Sequence, residues 1–179
     1  IINAINNAQQ QGAQLAYALV HTGQHYDAKM SQEFFDQLRI PKPDINLEAG
    51  GGSQAEQTAA IMIRFEQYLP SNPTDLVSVV GDVTSTLACS IVAKKLGILV
   101  AHVEGGIRSG DMGMPEEINR IVTDSISDYF FTTSKTANEN LLSEGKKEDQ
   151  IFFVGNTMID SLLTNMPRLT KPPCWDELT

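Results

Sequence analysis

A chain of 179 residues, 41% hydrophobic and 20% charged, is long enough to fill one globular core. Its net charge of −9 excludes the basic surface that a phosphate backbone demands, so no nucleic-acid partner is expected. No apolar run reaches the ~20 residues that span a bilayer, no secretory signal stands at the front, and the chain reads as cytoplasmic with no membrane partner.

In chain order, residues 1–11 read as the end of an amphipathic helix, with Ile1, Ile2, Ile5 and Ala8 on one side. Residues 14–20 predict a strand and His21 to Asp27 a polar loop after it. A helix is expected over 28–38 with Phe34, Phe35 and Leu38 buried, then a proline-punctuated connector at 40–44 and a short strand at 45–47. Gly50-Gly51-Gly52-Ser53 releases into a helix running to about Leu69, with Ser53 as N-cap. Strands follow at 75–80, 98–103, 129–131 and 151–154, separated by helices at 86–96, 115–127 and 134–143, with a last helix to about Met166. Pro115 suits a first helical position, and Glu116 and Glu117 suit the first turn. Two cysteines, Cys89 in a helix and Cys174 in the tail, make neither a disulfide framework nor a metal site.

Strands alternating with helices predict an α/β fold, a doubly wound parallel sheet of Rossmann-like type. Residues 1–166 form one domain on this reading, and 167–179, with Pro172-Pro173, the start of a linker. The chain begins inside the first helix of such a fold, so a first strand is expected ahead of it. Ligands of these sheets lie outside the carboxyl ends of the strands. The polar clusters at 21–27, 81–86, 102–111 and 155–157 all fall there.

Several residues at those ends carry candidate chemistry. Asp82 follows a strand and precedes a helix, which suits either an N-cap or a ligand contact, with Thr84 and Thr86 adding hydroxyls. Glu104 emerges from a buried strand, where a carboxylate must be paired or used; a salt bridge to Arg108 is the plainer alternative. Glu116 and Arg120 stand one helical turn apart, as an ordinary ion pair or as a site. The helix at 115–127 is expected to bury Ile118, Ile121 and Val122 and to present Glu116, Asn119 and Arg120 to the strand ends. His21, His25 and Asp27 lack a third strong metal ligand at ligating spacing, and a ligand-binding loop fits them better. Met112 and Met114 suit packing or a lid, and Gly155-Asn156-Thr157 a capped helix start. Three carboxylates without a nucleophilic Ser or Cys and without a metal motif point to proton transfer at carbon.

Five motifs then stand in order and register: His21-Thr-Gly-Gln24-His25-Tyr-Asp27, Gly81-Asp82-Val-Thr-Ser-Thr86, His102-Val-Glu104-Gly-Gly-Ile-Arg108, Pro115-Glu116-Glu117-Ile-Asn119-Arg120 and Gly155-Asn156-Thr157. Together they resemble the non-hydrolysing UDP-N-acetylglucosamine 2-epimerases. The resemblance implies one half of a two-domain glycosyltransferase-B type fold, a UDP-sugar as substrate between the halves, and no metal or other cofactor. It implies C2 inversion by elimination of UDP to a 2-acetamidoglucal, followed by re-addition. It assigns catalysis to Asp82, Glu104 and Glu116, with Asp82 and Glu116 in proton traffic at C2 and Glu104 binding a hydroxyl. Substrate binding falls to Arg108, Arg120, Gln24 and His25, with Arg120 holding Glu116 or an anionic ligand group and Arg108 anchoring its loop.

Two departures stand out. Val83 replaces the family's usual threonine, and residues 48–53 lack an arginine that in some members holds an activating UDP-sugar. The family's first-strand arginine and its C-terminal domain, with a histidine and most of the uridine contacts, lie outside these 179 residues. The chain alone is therefore expected to be inactive, and a homodimer is in keeping with the family. Alternatives are an epimerase for a related nucleotide sugar such as a UDP-diacetamido-uronic acid, a glycosyltransferase of the same architecture, or an inactive nucleotide-sugar binding module.

Overall fold

The computed structural model describes residues 1–23 and 41–168. The helix expected over 28–38, most of the 21–27 loop including Gln24 and His25, and nearly all of the linker lie outside the described residues. The chain opens with helix α1 (Ile2–Gln10) and the short strand β1 (Val20–His21), paired in parallel with β2 (Ile45–Asn46). The strand expected over 14–20 is thus only two residues long, and it ends one residue later. Helix α2 (Gln54–Tyr68) then leads to a second parallel sheet of β3 (Leu76–Val80), β4 (Leu99–Val103), β5 (Tyr129–Thr132) and β6 (Ile151–Phe153), in that spatial order. Its intervening helices are α3 (Thr84–Lys95), α4 (Pro115–Ile126) and α5 (Lys135–Ser143), and α6 (Thr157–Asn165) follows β6. No helix among the described residues is long and apolar enough to cross a membrane.

Local chemistry explains the starts of these helices. Ser53 caps α2 in a reciprocal box: its Oγ accepts the Glu56 N–H at 3.3 Å and the Glu56 carboxylate accepts the Ser53 N–H at 2.7 Å. Ser134 caps α5 through the Ala137 N–H, and Asn156 caps α6 through the Met158 N–H. The plainer reading of the Gly155-Asn156-Thr157 turn therefore holds. Helix α3 starts at Thr84, two residues earlier than expected, with Val83 and not Asp82 at its N-cap. Thr86 turns its hydroxyl back to the Val80 carbonyl at 2.9 Å, and Thr84 donates to Gln54 at 3.3 Å.

The two faces of the four-stranded sheet differ. In parallel register, Val77, Val79, Val100, His102, Phe130 and Thr132 share one face. There Val77, Val79 and Val100 join Ile61, Phe65, Ala88, Val92 and others in one buried core. His102 bonds to α4 and Thr132 to α5. The opposite face carries Leu76, Val80, Leu99, Tyr129 and Phe152, all exposed, while α1 and α6 bury no residue. Cys89 lies in the covered core, where burial pushes its thiol up to about 12 and leaves it inert at neutral pH.

Candidate active site

The site is built at the carboxyl ends of β3 and β4. Gly81 continues the β3–β4 ladder, its N–H donating to the Val103 carbonyl at 3.0 Å. Its φ of +70° turns the chain so that Asp82 stands at the strand end. Asp82 is fixed from α4 at two points: Asn119 donates to its backbone carbonyl at 2.8 Å, and Arg120 pairs with its carboxylate. The Asp82 side chain keeps 37% of its surface in solvent. Its carboxylate answers to Arg120, so the N-cap reading is set aside.

Glu104 leaves β4 with a φ of +72°, a backbone conformation that costs a non-glycine residue roughly 1–3 kcal/mol. The strain is held from both sides. The Glu104 N–H donates to the Phe131 carbonyl at 2.8 Å, and the two glycines behind it pack tightly. A Cβ on Gly106 would lie 2.4 Å from the Ala137 carbonyl oxygen, so only glycine lets α5 approach there. The Glu104 carboxylate reaches back over the neighbouring turn, with one oxygen 3.9 Å from where a Gly81 Cβ would be. Asp82 and Glu104 thus stand at the ends of the neighbouring strands β3 and β4. Among the described residues neither Glu104 nor Glu116 has an ion-pair partner, and the expected Glu104–Arg108 bridge does not form.

Helix α4 presents Asn119 and Arg120 to the strand end as expected, but it does not bury its isoleucines. Its buried residues are Glu117, Asn119, Arg120, Thr123 and Asp124, whereas Ile118 is 45% exposed and Ile121 and Val122 are half-buried. The polar stripe goes inward because the strand ends offer it partners. Glu117, 1% exposed, accepts the N–H groups of Ser109 and Gly110 at 3.0 Å each and the Arg120 Nε at 2.8 Å. Burial pushes its carboxyl up, but these donors outweigh burial and leave it at about 2. Arg120 thus bridges Asp82 and Glu117, and Glu116, its alternative partner one turn away, stays exposed on the first turn. Ile118 instead lines a cleft of about 600 Å³ with Thr58, Met62, Thr84 and Pro115. Met112 and Met114 are exposed and do not pack.

Beneath Glu104 lies a second ionic cluster. His102 and Asp124 are fully buried, with Nδ1 2.6 Å from one Asp124 oxygen. The other Asp124 oxygen accepts the Gly106 N–H at 3.0 Å and Arg108 at 2.7 Å. Burial raises the Asp124 carboxyl, yet His102, Arg108 and the Gly106 N–H outweigh it and hold the carboxyl below its usual range. Arg108 also forks onto Glu144 at 2.9 and 2.7 Å. Burial would lower the Arg108 guanidinium, but Glu144 and Asp124 raise it. Its donors point into the protein, to Glu144, Asp124 and the Ile107 carbonyl, which is the geometry of a loop anchor.

The other candidates are placed as follows. His21 Nδ1 accepts the Gly23 N–H at 3.2 Å, and the β1–β2 ladder continues into Leu47 and Ala49. Sequence reasoning passed over Asp124 entirely and gave no separate role to His102 or Glu117. The available signal was a histidine inside an apolar strand, together with acids at 117 and 124 flanking Arg120 at helical spacing. Among the described residues no three His, Cys, Asp or Glu side chains converge as metal ligands.

Comparison with known proteins agrees with this geometry. The family model of UDP-N-acetylglucosamine 2-epimerase matches residues 7–178. The UDP-N-acetylglucosamine 2-epimerase of Methanocaldococcus jannaschii is 48% identical over 148 residues, 83% of this chain and 40% of that protein. The UDP-2,3-diacetamido-2,3-dideoxy-D-glucuronate 2-epimerase of Pseudomonas aeruginosa is 45% identical over 160 residues, 88% of this chain and 45% of that protein. The crystal structure of the M. jannaschii enzyme in complex with UDP-GlcNAc and UDP superposes with a TM-score of 0.86 at 44% identity, covering 91% of this chain and 45% of that one. The chain spans less than half the length of these relatives. With nearly all of its residues matched by one family model and its strand-end carboxylates set in an α/β fold shared with solved 2-epimerases, the chain belongs to the UDP-N-acetylglucosamine 2-epimerase family.

Proposed function

We propose that this chain supplies the acid–base half of an enzyme that interconverts UDP-N-acetylglucosamine and UDP-N-acetylmannosamine. One observation carries the reading. Asp82 and Glu104 stand at adjacent strand ends of a chain of this family, and Glu104 is held there in a strained backbone without an ion-pair partner among the described residues. Strain kept at an unpaired acid is an expense that packing alone does not require.

In the proposed reaction a carboxylate removes the C2 proton while the C1–O bond breaks and UDP leaves, giving the 2-acetamidoglucal. UDP then adds back at C1 as C2 takes a proton from the opposite face. Asp82 and Glu116 serve C2, and Glu104 binds a sugar hydroxyl and supports the elimination. Arg120 orients the Asp82 carboxylate and is itself held by the Glu117 contact behind it. Gln24 and His25 are assigned to substrate binding by the family resemblance, and Arg108 acts on the substrate through the loop it anchors. Uridine and diphosphate contacts come from a second domain, in keeping with relatives more than twice as long. The chain by itself does not turn over, because half a site lacks the proximity and charge stabilisation of the whole. The reading includes a cytoplasmic enzyme and a homodimer, and light scattering of the full-length product checks the dimer.

The experiment is incubation of the full-length gene product with UDP-N-acetylglucosamine in deuterium oxide, followed by proton NMR. Loss of the C2 proton with appearance of the manno epimer supports the proposal. The second reading, a UDP-diacetamido-uronic acid as substrate, is favoured by the 45% identity to the P. aeruginosa enzyme. It is tested in the same tube format, and inertness toward both sugars overturns the enzyme reading.

A further inference from the structure

We infer that His102 and Asp124 form a positioning pair that sets the Asp82 turn and the Glu104 turn relative to one another; the inference rests on the function proposed above. His102 sits in β4 where the alternation of the strand calls for an apolar core residue, and it is wholly buried. Its two bonds do not serve the sheet, whose β3–β4 ladder is complete without them. Nε2 faces the Gly81 carbonyl at 2.9 Å, an oxygen that can only accept. Nδ1 faces an Asp124 oxygen at 2.6 Å, on a carboxylate that also takes charge from Arg108. Each ring nitrogen therefore faces an acceptor oxygen.

The consequence is mechanical. The Gly81 peptide is pinned at its N–H by Val103 and at its carbonyl by His102, and Asp82 is the next residue. Asp124, on its second oxygen, holds the Gly106 N–H, two residues after Glu104. One buried pair thus touches the turns of both carboxylates and neither carboxylate itself. Loss of the pair frees the Gly81–Asp82 peptide and the Glu104–Gly106 turn to drift apart, and a drift of ~1 Å in reacting groups costs on the order of 10²-fold in rate.

The test uses the full-length enzyme and reads kcat per UDP-binding site, with sites counted by calorimetric titration of UDP. A purely structural role lowers the number of sites and leaves the rate per site unchanged. For His102→Ala the expected result is a fall in kcat per site of about 100-fold with KM changed by less than about threefold. His102→Gln keeps an N–H for the Gly81 carbonyl and is expected to recover at least about tenfold of that loss. Asp124→Asn keeps the shape but has a single acceptor oxygen and no charge, so His102 Nδ1 and the Gly106 N–H can no longer both meet an acceptor, and kcat per site is expected to fall by at least about tenfold. If His102→Ala does not fold, the Gln and Asn variants decide the matter. An active parent enzyme with Asp124→Asn or folded His102→Ala at parental kcat per site overturns this inference alone. A parent inert toward both nucleotide sugars overturns the function reading, and this inference with it.

Discussion

Glu116 and Glu117 are consecutive residues at the start of one helix, and their surroundings are opposite. Glu116 is exposed, with no ion-pair partner among the described residues, and Glu117 is sealed in and bound by two backbone N–H groups and an arginine. The same division separates Glu104 from Asp124 around the loop after β4. Asp82 stands between the classes, part exposed and part held by Arg120. A rim of available carboxylates thus rests on a floor of committed ones. The difference teaches that an acid is available for proton transfer when its neighbours leave its lone pairs unbound. The acids beneath it keep it in place.

The comparison breaks most visibly if the rim is neutralised. Glu116→Gln in the full-length enzyme is expected to lower kcat by ~10²–10⁴-fold, the usual worth of a general acid or base, Glu104→Gln to lower it through the lost support of the elimination, and both to leave the melting temperature in place. Steady-state kinetics beside calorimetry checks both halves of that statement. Glu117→Gln is expected to do the reverse in kind. Removing one member of a buried ion pair costs about 3–5 kcal/mol, so urea unfolding of the chain should show a stability loss of that order.

Acid sharpens the distinction. The Glu117 carboxyl is depressed to about 2 in the folded state, so its contribution to stability is fully present above its unfolded value near 4.5. That contribution is lost progressively as pH falls through the window from 4.5 to about 2. Unfolding measured across this window should slope more steeply in the parent than in Glu117→Gln. The smallest effect belongs to Thr123, whose buried hydroxyl has no hydrogen-bond partner among the described residues. Thr123→Val removes that unpaired oxygen at nearly constant volume, and thermal unfolding should show a gain of about 1 kcal/mol.

The order of strands and helices was legible in the sequence because periodicity and punctuation report it directly, as in Val77 and Val79 alternating into the core and Ser53 opening α2. Asp82 and Glu104 were legible too, each standing just past a strand. The facing of α4 was not. Hydrophobicity argues that Ile118, Ile121 and Val122 turn inward, yet the Asp82 carbonyl, the Ser109 and Gly110 N–H groups and His102 all need partners that only the polar stripe supplies. Those needs arise from strands far apart in sequence, so local pattern could not weigh them. The exposure of Leu76, Val80 and Leu99 on one face of the sheet, among the described residues, was equally hidden, since alternation in β3 marks two faces without saying which is covered.

The central claim, that the rim acids carry the proton chemistry, is tested most directly at Glu116. Isotope exchange at C2 of UDP-N-acetylglucosamine in deuterium oxide should be measured for the full-length parent and for Glu116→Gln, with melting temperatures taken on the same samples. The account predicts exchange in the parent, its loss in Glu116→Gln, and equal melting temperatures. Exchange at the parental rate in Glu116→Gln would contradict it.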